Sequence, residues 1–195
     1  MKRALMFLLF LFLSIGSSLR ASNIGSYTSS STKRGIEAFY NIYDSLVVKI
    51  IVDGTHGESI MTLTGEAAVT SFHNALSYCR VKYNEWCNVA RAHLIDNFSK
   101  MINVEFSEFD LWWDKAYIGE QNPSASFSII DGDARLGIGG TAKLRYENLY
   151  KKSVTRDWSI VFISDEEIQT LLRWTDVNIL KYELQKRRTT DALFK

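Results

Sequence analysis

The sequence holds two cysteines and three histidines in 195 residues, and each scarcity removes a class of function. Two cysteines cannot make a disulfide-stapled scaffold, and neither has a second cysteine or a closely spaced histidine to complete a zinc site. His56, His73 and His93 stand singly, with no acidic or cysteine partner at a fixed spacing, and read as surface residues. Gly-x-Ser-x-Gly, His-Glu-x-x-His and Cys-Gly-Ser-Cys are all missing, which takes away the commoner hydrolase signatures. An excess of either charge is also lacking: 23 basic residues face 22 acidic ones. The one basic run, Lys186, Arg187 and Arg188, reads as a solvated helix end, so no nucleic-acid partner is expected. No window beyond the amino terminus is apolar enough to span a membrane, and no repeat of about 20 to 50 residues suggests a solenoid or propeller.

What is present begins at the amino terminus. Lys2 and Arg3 form a positive region, residues 4–13 an unbroken apolar run, and residues 14–21 a small-residue stretch that a signal peptidase could cut after Ser18 or Ala21. These are the three parts of a secretory signal peptide. The apolar run is far shorter than the roughly 20 residues of a spanning helix, so the expectation is a chain released to the periplasm or the exterior, without membrane insertion. Loss of Lys2, Arg3 and Arg20 would leave 20 basic against 22 acidic residues, a net charge of −2. The remaining length suits one domain, expected over residues 36–195 after a Ser/Thr/Gly-rich flexible leader at 22–35.

The longest periodic signal covers residues 64–98. Val69, Phe72, Leu76, Cys79, Tyr83, Trp86 and Ala90 recur in steps of three and four, one face of an amphipathic helix. Thr64 is the expected N-cap and Glu66 lies in the first turn, where a carboxylate meets the positive end of the helix dipole. Cys79 belongs to the apolar stripe. Cys87 is turned about 80° from it and is expected to be half exposed. Eight helical residues separate the two sulfurs by about 12 Å along the axis, whereas a disulfide needs Cα atoms within about 7 Å, so they are not expected to pair.

Strand signals surround this helix. Residues 46–52 and 59–63 flank an Asp-Gly loop and read as a hairpin, while residues 36–43 read as a short helix. Val104 and Phe106 alternate in one phase and Phe109, Leu111 and Trp113 in the other, which calls for a bulge or turn near Ser107. Residues 126–130 and 134–146 flank an Asp131-Gly132 turn, and 158–163 form a further strand. Ser164 with Glu167 makes a capping box for a helix, and a last helix is expected over 176–188. The fold class is therefore α+β: a mainly antiparallel sheet, formed by an N-terminal hairpin and a four-stranded meander, packed against one long helix, with short C-terminal helices.

The phrases Phe72-His73-Asn74-Ala75-Leu76 and Lys82-Tyr83-Asn84-Glu85-Trp86, together with Ile163-Ser164-Asp165-Glu166-Glu167-Ile168 and the Leu171-Leu172 pair, resemble segments of small exported bacterial proteins of uncharacterised activity. The resemblance covers about half the chain beyond residue 21. It implies an exported small domain and carries no activity or site residues.

No cofactor or metal site is legible. The run from Gly137 to Lys143 lacks the spacing of a phosphate loop and lies within strand periodicity, where glycines serve close approach of a neighbouring group. Asp131 and Asp133 have no third ligand at calcium-loop spacing. One surface pattern remains. Asp110, Trp112 and Asp114 alternate opposite Phe109, Leu111 and Trp113, and a tryptophan between carboxylates can stack on a sugar or seat a partner's side chain. The two acids, about 13 Å apart in a strand, are too distant for glycoside hydrolysis, which needs roughly 5 to 9.5 Å. The reading is a binding module for a protein or carbohydrate partner. The alternative is a small exported enzyme with a pocket between the sheet and the long helix.

Overall fold

The computed structural model describes residues 22–54, 57–113, 116–145 and 153–193. The chain order is β1 (Ser22–Ser29), β2 (Thr32–Tyr40), β3 (Leu46–Gly54), β4 (Gly57–Thr64), α1 (Glu66–His93), β5 (Phe98–Ile102), β6 (Phe109–Trp113) and β7 (Ala116–Gln121). There follow β8 (Ser124–Ile130), β9 (Asp133–Arg145), β10 (Ser153–Phe162), α2 (Asp165–Thr175) and α3 (Val177–Leu193). The strands join in one sheet of order β5-β8-β9-β10-β3-β4-β6-β7, with β1 and β2 branching from β3. Every described pairing is antiparallel. The class is thus α+β, with three helices among the described residues, one of them long.

The branch lies within β3. Its first half pairs with β2 through Leu46 to Ile50, and its last residues, Asp53 and Gly54, pair with β10 on the same edge. A strand that changes partner leaves a backbone group exposed at the fork, and an unpaired buried carbonyl is costly. Tyr27 resolves this by donating its hydroxyl to the Ile51 carbonyl at 2.6 Å. Ser29 Oγ accepts from the Val161 amide at 3.1 Å and donates to Asp53, and Ser30 N donates to the Val161 carbonyl, so the end of β1 stitches β10 into the gap. Arg34 spans Asp53 and Glu58 beside it.

One face of the sheet is sealed by α1. Val48, Ile50, Val52, Met61, Leu63, Phe127, Leu136 and Ile138 meet Phe72, Leu76 and Cys79 with essentially no exposed surface. Phe127 lies at the centre of an aromatic group, with Trp86 at 5.5 Å, Tyr83 at 5.9 Å and Phe98 at 6.5 Å between ring centroids. The sheet curls far enough for Phe109 of β6 to set its ring edge-on against Trp158 of β10 at 5.1 Å. Gly140 leaves room for that indole, since a Cβ there would stand 3.3 Å from Trp158 Nε1.

Several expectations are overturned. Residues 22–35 are not a flexible leader: they form β1 and the start of β2, and a bulge between Asn23 and Gly25 breaks the alternation that would reveal the strand. Gly25 is also where the Trp174 ring lies against the backbone, so its small size serves packing. Residues 36–43 are not helical. Ile36 and Ala38 face the core as strand residues, and the chain turns at 41–45 around the Asn41 carboxamide, which accepts from the amides of Tyr43 and Ser45. Thr64 stays in the sheet opposite Val47, so Gly65, at φ 92, precedes the helix without a side-chain cap. The helix ends at His93 rather than near residue 98, because Leu94 turns left-handed and the Ile95 amide donates to Ala90 O; the residues beyond become β5. Cys87 is buried, not half exposed.

The four-stranded meander is only partly realised. β8, β9 and β10 are consecutive neighbours, but the β6–β7 hairpin lies on the far side of β4, and β5 takes the place beside β8. Residues 103–108 make the crossing outside any strand. Phe106 anchors them on Phe72 at 5.6 Å, and Ser107 Oγ donates to Ala68 O. The Asp131-Gly132 turn forms as expected, with φ values of 53 and 85. So does the capping box, in which Ser164 Oγ accepts from Glu167 N and Glu167 accepts from the Ile163 amide. No helix among the described residues is long and apolar enough to cross a membrane.

Candidate ligand-binding surface

Trp112 projects from the face of β6 opposite the buried Phe109 and Leu111, and 36% of it is exposed. Its cross-strand neighbours are Ile60 on β4 and Tyr117 on β7. These three side chains form one row over three strands, and all are at least as exposed as Trp112. At about 4.8 Å between strands the row spans about 10 Å.

Tyr117 owes its place to a bulge. Leu111 pairs with Gly119 but Trp112 pairs with Tyr117, so Ile118 is the extra residue of β7. A bulge shifts every later side chain by one position. Without it Ile118 would oppose Trp112; with it Ile118 packs on the core and the Tyr117 ring lies 5.1 Å from that of Trp112, tilted by 55°. The Tyr117 hydroxyl donates to Asp110 at 3.1 Å. The result is an apolar platform edged by the Asp110 carboxylate.

Of the three sequence-nominated residues, Asp110 and Trp112 share this surface, and Asp114 lies outside the described residues. Ile60 and Tyr117 were missed. Ile60 was legible as the outward member of the alternation in β4, whereas Tyr117 required knowledge of the bulge. His56 also lies outside the described residues. His73 contacts Thr175 Oγ1 at 3.2 Å and ties α1 to the end of α2. Among the described residues no group of three His, Cys, Asp or Glu side chains is placed to hold a metal ion.

The strongest electrostatic cluster is structural. Asp165, at the start of α2, accepts from Arg80 Nε at 2.6 Å, from Arg80 Nη2 at 2.7 Å, from Asn84 Nδ2 at 2.7 Å and from Gln169. The Arg80 hydrogen bonds, aided by Asn84 and Gln169, hold its carboxyl well below the usual carboxylate range. Every lone pair has a donor within the protein, so the cluster fastens α2 to α1 and offers nothing to a substrate. Burial pushes the Cys79 thiol up to about 12 and also raises that of Cys87, which leaves neither as a ready nucleophile.

No protein-family model, curated protein or solved structure matches this chain.

Proposed function

We propose that the protein is an exported binding module that engages a carbohydrate or protein partner through the Ile60–Trp112–Tyr117 row, with Asp110 as its polar handle. The observation that carries this reading is the β7 bulge, which brings a second ring beside Trp112 on an exposed sheet face and seats its hydroxyl on Asp110. Adjacent aromatic rings present a flat, rigid, apolar surface, and a carboxylate beside them accepts hydrogen bonds from hydroxyl or amide groups. Filling between α1 and the sheet with apolar side chains favours binding at this surface over catalysis in a sheet–helix pocket. Export is supported by the three-part leader of residues 1–21 and by the resemblance to small exported bacterial proteins.

The test is binding of the protein to immobilised cell-envelope glycans and proteins, alongside Trp112→Ala and Asp110→Asn. Specific retention that both substitutions reduce at least about tenfold, while the melting temperature moves by only a few degrees, supports the surface. Retention unaffected by either substitution would remove Trp112 and Asp110 from the interface.

A further inference from the structure

Several half-buried aromatic rings of this protein are covered by its own cations. Lys100 lies 4.9 Å from the centre of the Trp86 ring, Arg188 4.8 Å from that of Tyr40 and Arg173 5.2 Å from that of Trp174. Each distance falls within the roughly 6 Å over which a ring face attracts a positive charge. Trp112 differs. It is the most exposed of the five tryptophans, and no described residue sets a cation over it.

The carboxylate beside it is also without a counter-charge. Asp110 precedes Trp112 by two residues on the same face of β6, about 7 Å away. Asp110 forms no ion pair among the described residues, whereas Asp53, Glu58, Glu85 and Asp165 each do. Its register partner on β7 is Glu120, not a basic residue. The basic residue in its row is Lys49, which is separated from it by Thr62 of β4, and the Lys49 ammonium lies over Phe39 of β2, on the side away from Asp110. An ionised carboxylate has lone pairs beyond the one that Tyr117 occupies, so Asp110 can accept from a ligand as well.

A ring face and a carboxylate both attract positive charge. A guanidinium suits the pair best, because it stacks flat on an indole and donates from its edge to a carboxylate. A sugar suits it less. The rings of Trp112 and Tyr117 are inclined by 55°, so one pyranose face cannot lie flat on both.

We infer that the Trp112 surface binds an arginine side chain presented by an exposed basic segment of a protein partner, with the guanidinium on the indole face and its N–H groups donating to Asp110. This rests on the binding role proposed for that surface and narrows its partner from a carbohydrate or protein to a basic protein.

Isothermal titration of the full protein with tetra-arginine, tetra-lysine, tetra-citrulline and chitotetraose tests it. Tetra-arginine should bind, and tetra-citrulline, which keeps the shape and loses the charge, should bind at least about tenfold more weakly. Tetra-lysine should fall between them, since it lacks the planar fork. Asp110→Asn and Trp112→Ala should each weaken tetra-arginine at least about tenfold in a protein that remains folded. Asp131→Asn, at an exposed carboxylate in the β8–β9 turn, should leave it unchanged. Trp112-dependent binding of chitotetraose without binding of tetra-arginine would overturn the inference and leave the binding role of the surface standing, with a carbohydrate as its ligand. Equal affinity for arginine and citrulline peptides, unchanged binding in a folded Asp110→Asn protein, an equal loss in Asp131→Asn, or no binding of tetra-arginine at millimolar concentration would each overturn it as well.

Discussion

Asp165 shows how much one side chain can hold together, since it joins Arg80 and Asn84 of α1 to Gln169 of its own helix. Replacing it with Asn should destabilise the protein by about 1 to 2 kcal/mol, less than for a buried pair because water reaches both partners. The carboxyl is held low only in the folded chain. Its contribution is therefore complete above the unfolded value of about 3.9 and is lost as the pH falls towards the folded value. Denaturant titrations of the two proteins should accordingly differ at pH 7 and converge in strong acid; a constant difference would assign the stabilisation to packing instead. The cysteines make a second residue-scale case. Cys79 and Cys87 lie on one uninterrupted helix, so about 12 Å separates them along its axis and they remain free. Thiol titration without reductant should find two groups per chain after denaturation and a much slower reaction before it; an intrachain disulfide would mean that α1 is broken between them. The candidate surface was legible to the same depth. Strand alternation exposed Asp110 and Trp112, but a one-residue bulge rephased β7, and no pattern in the sequence announces where a strand will skip.

At the scale of elements, what could be read from the sequence was whatever is decided locally. The stripe from Val69 to Ala90, the Asp131-Gly132 turn and the Ser164–Glu167 box each need only neighbours a few residues away. What escaped is decided by partners far along the chain. β1 exists because β2 pairs with it, and β5 because β8 offers an edge. With four of its five residues exposed, β5 carries no alternation to detect. The junction of α1 with this part of the sheet can be weighed directly. Phe127 is fully buried and touches three aromatic rings, so Phe127→Ala should cost about 3 to 5 kcal/mol. Trp86 is only half buried and shares its ring with the Lys100 ammonium at 4.9 Å, so Trp86→Ala should cost about 1 to 3 kcal/mol. Chemical denaturation of both variants checks the order. A larger loss at Trp86 than at Phe127 would show that the helix leans on the sheet through its outer edge.

At the scale of the whole molecule the proposed leader has a structural consequence. β1 is not an appendage: Tyr27 satisfies a carbonyl at the fork in β3, and Ser29 and Ser30 bind β10, so the strand bridges β3 and β10. Cleavage after Ser18 or Ala21 would spare it, since the strand runs from Ser22 to Ser29. A cut even a few residues further on would remove Ile24, which is buried, and begin to unpick the pairing with β2. The proposed processing would thus be compatible with the limit that β1 sets on the amino terminus. Protein produced with its own leader should leave the membrane fraction and show, by intact mass, a chain beginning between residues 17 and 22. A version starting at Tyr27 should be markedly less stable, because it lacks Ile24 and the first pairs of β1. Full-length protein retained in the membrane would defeat the export reading. A mature terminus beyond Ile24 in a fully stable protein would show instead that the first residues of β1 contribute nothing to the stability of the sheet.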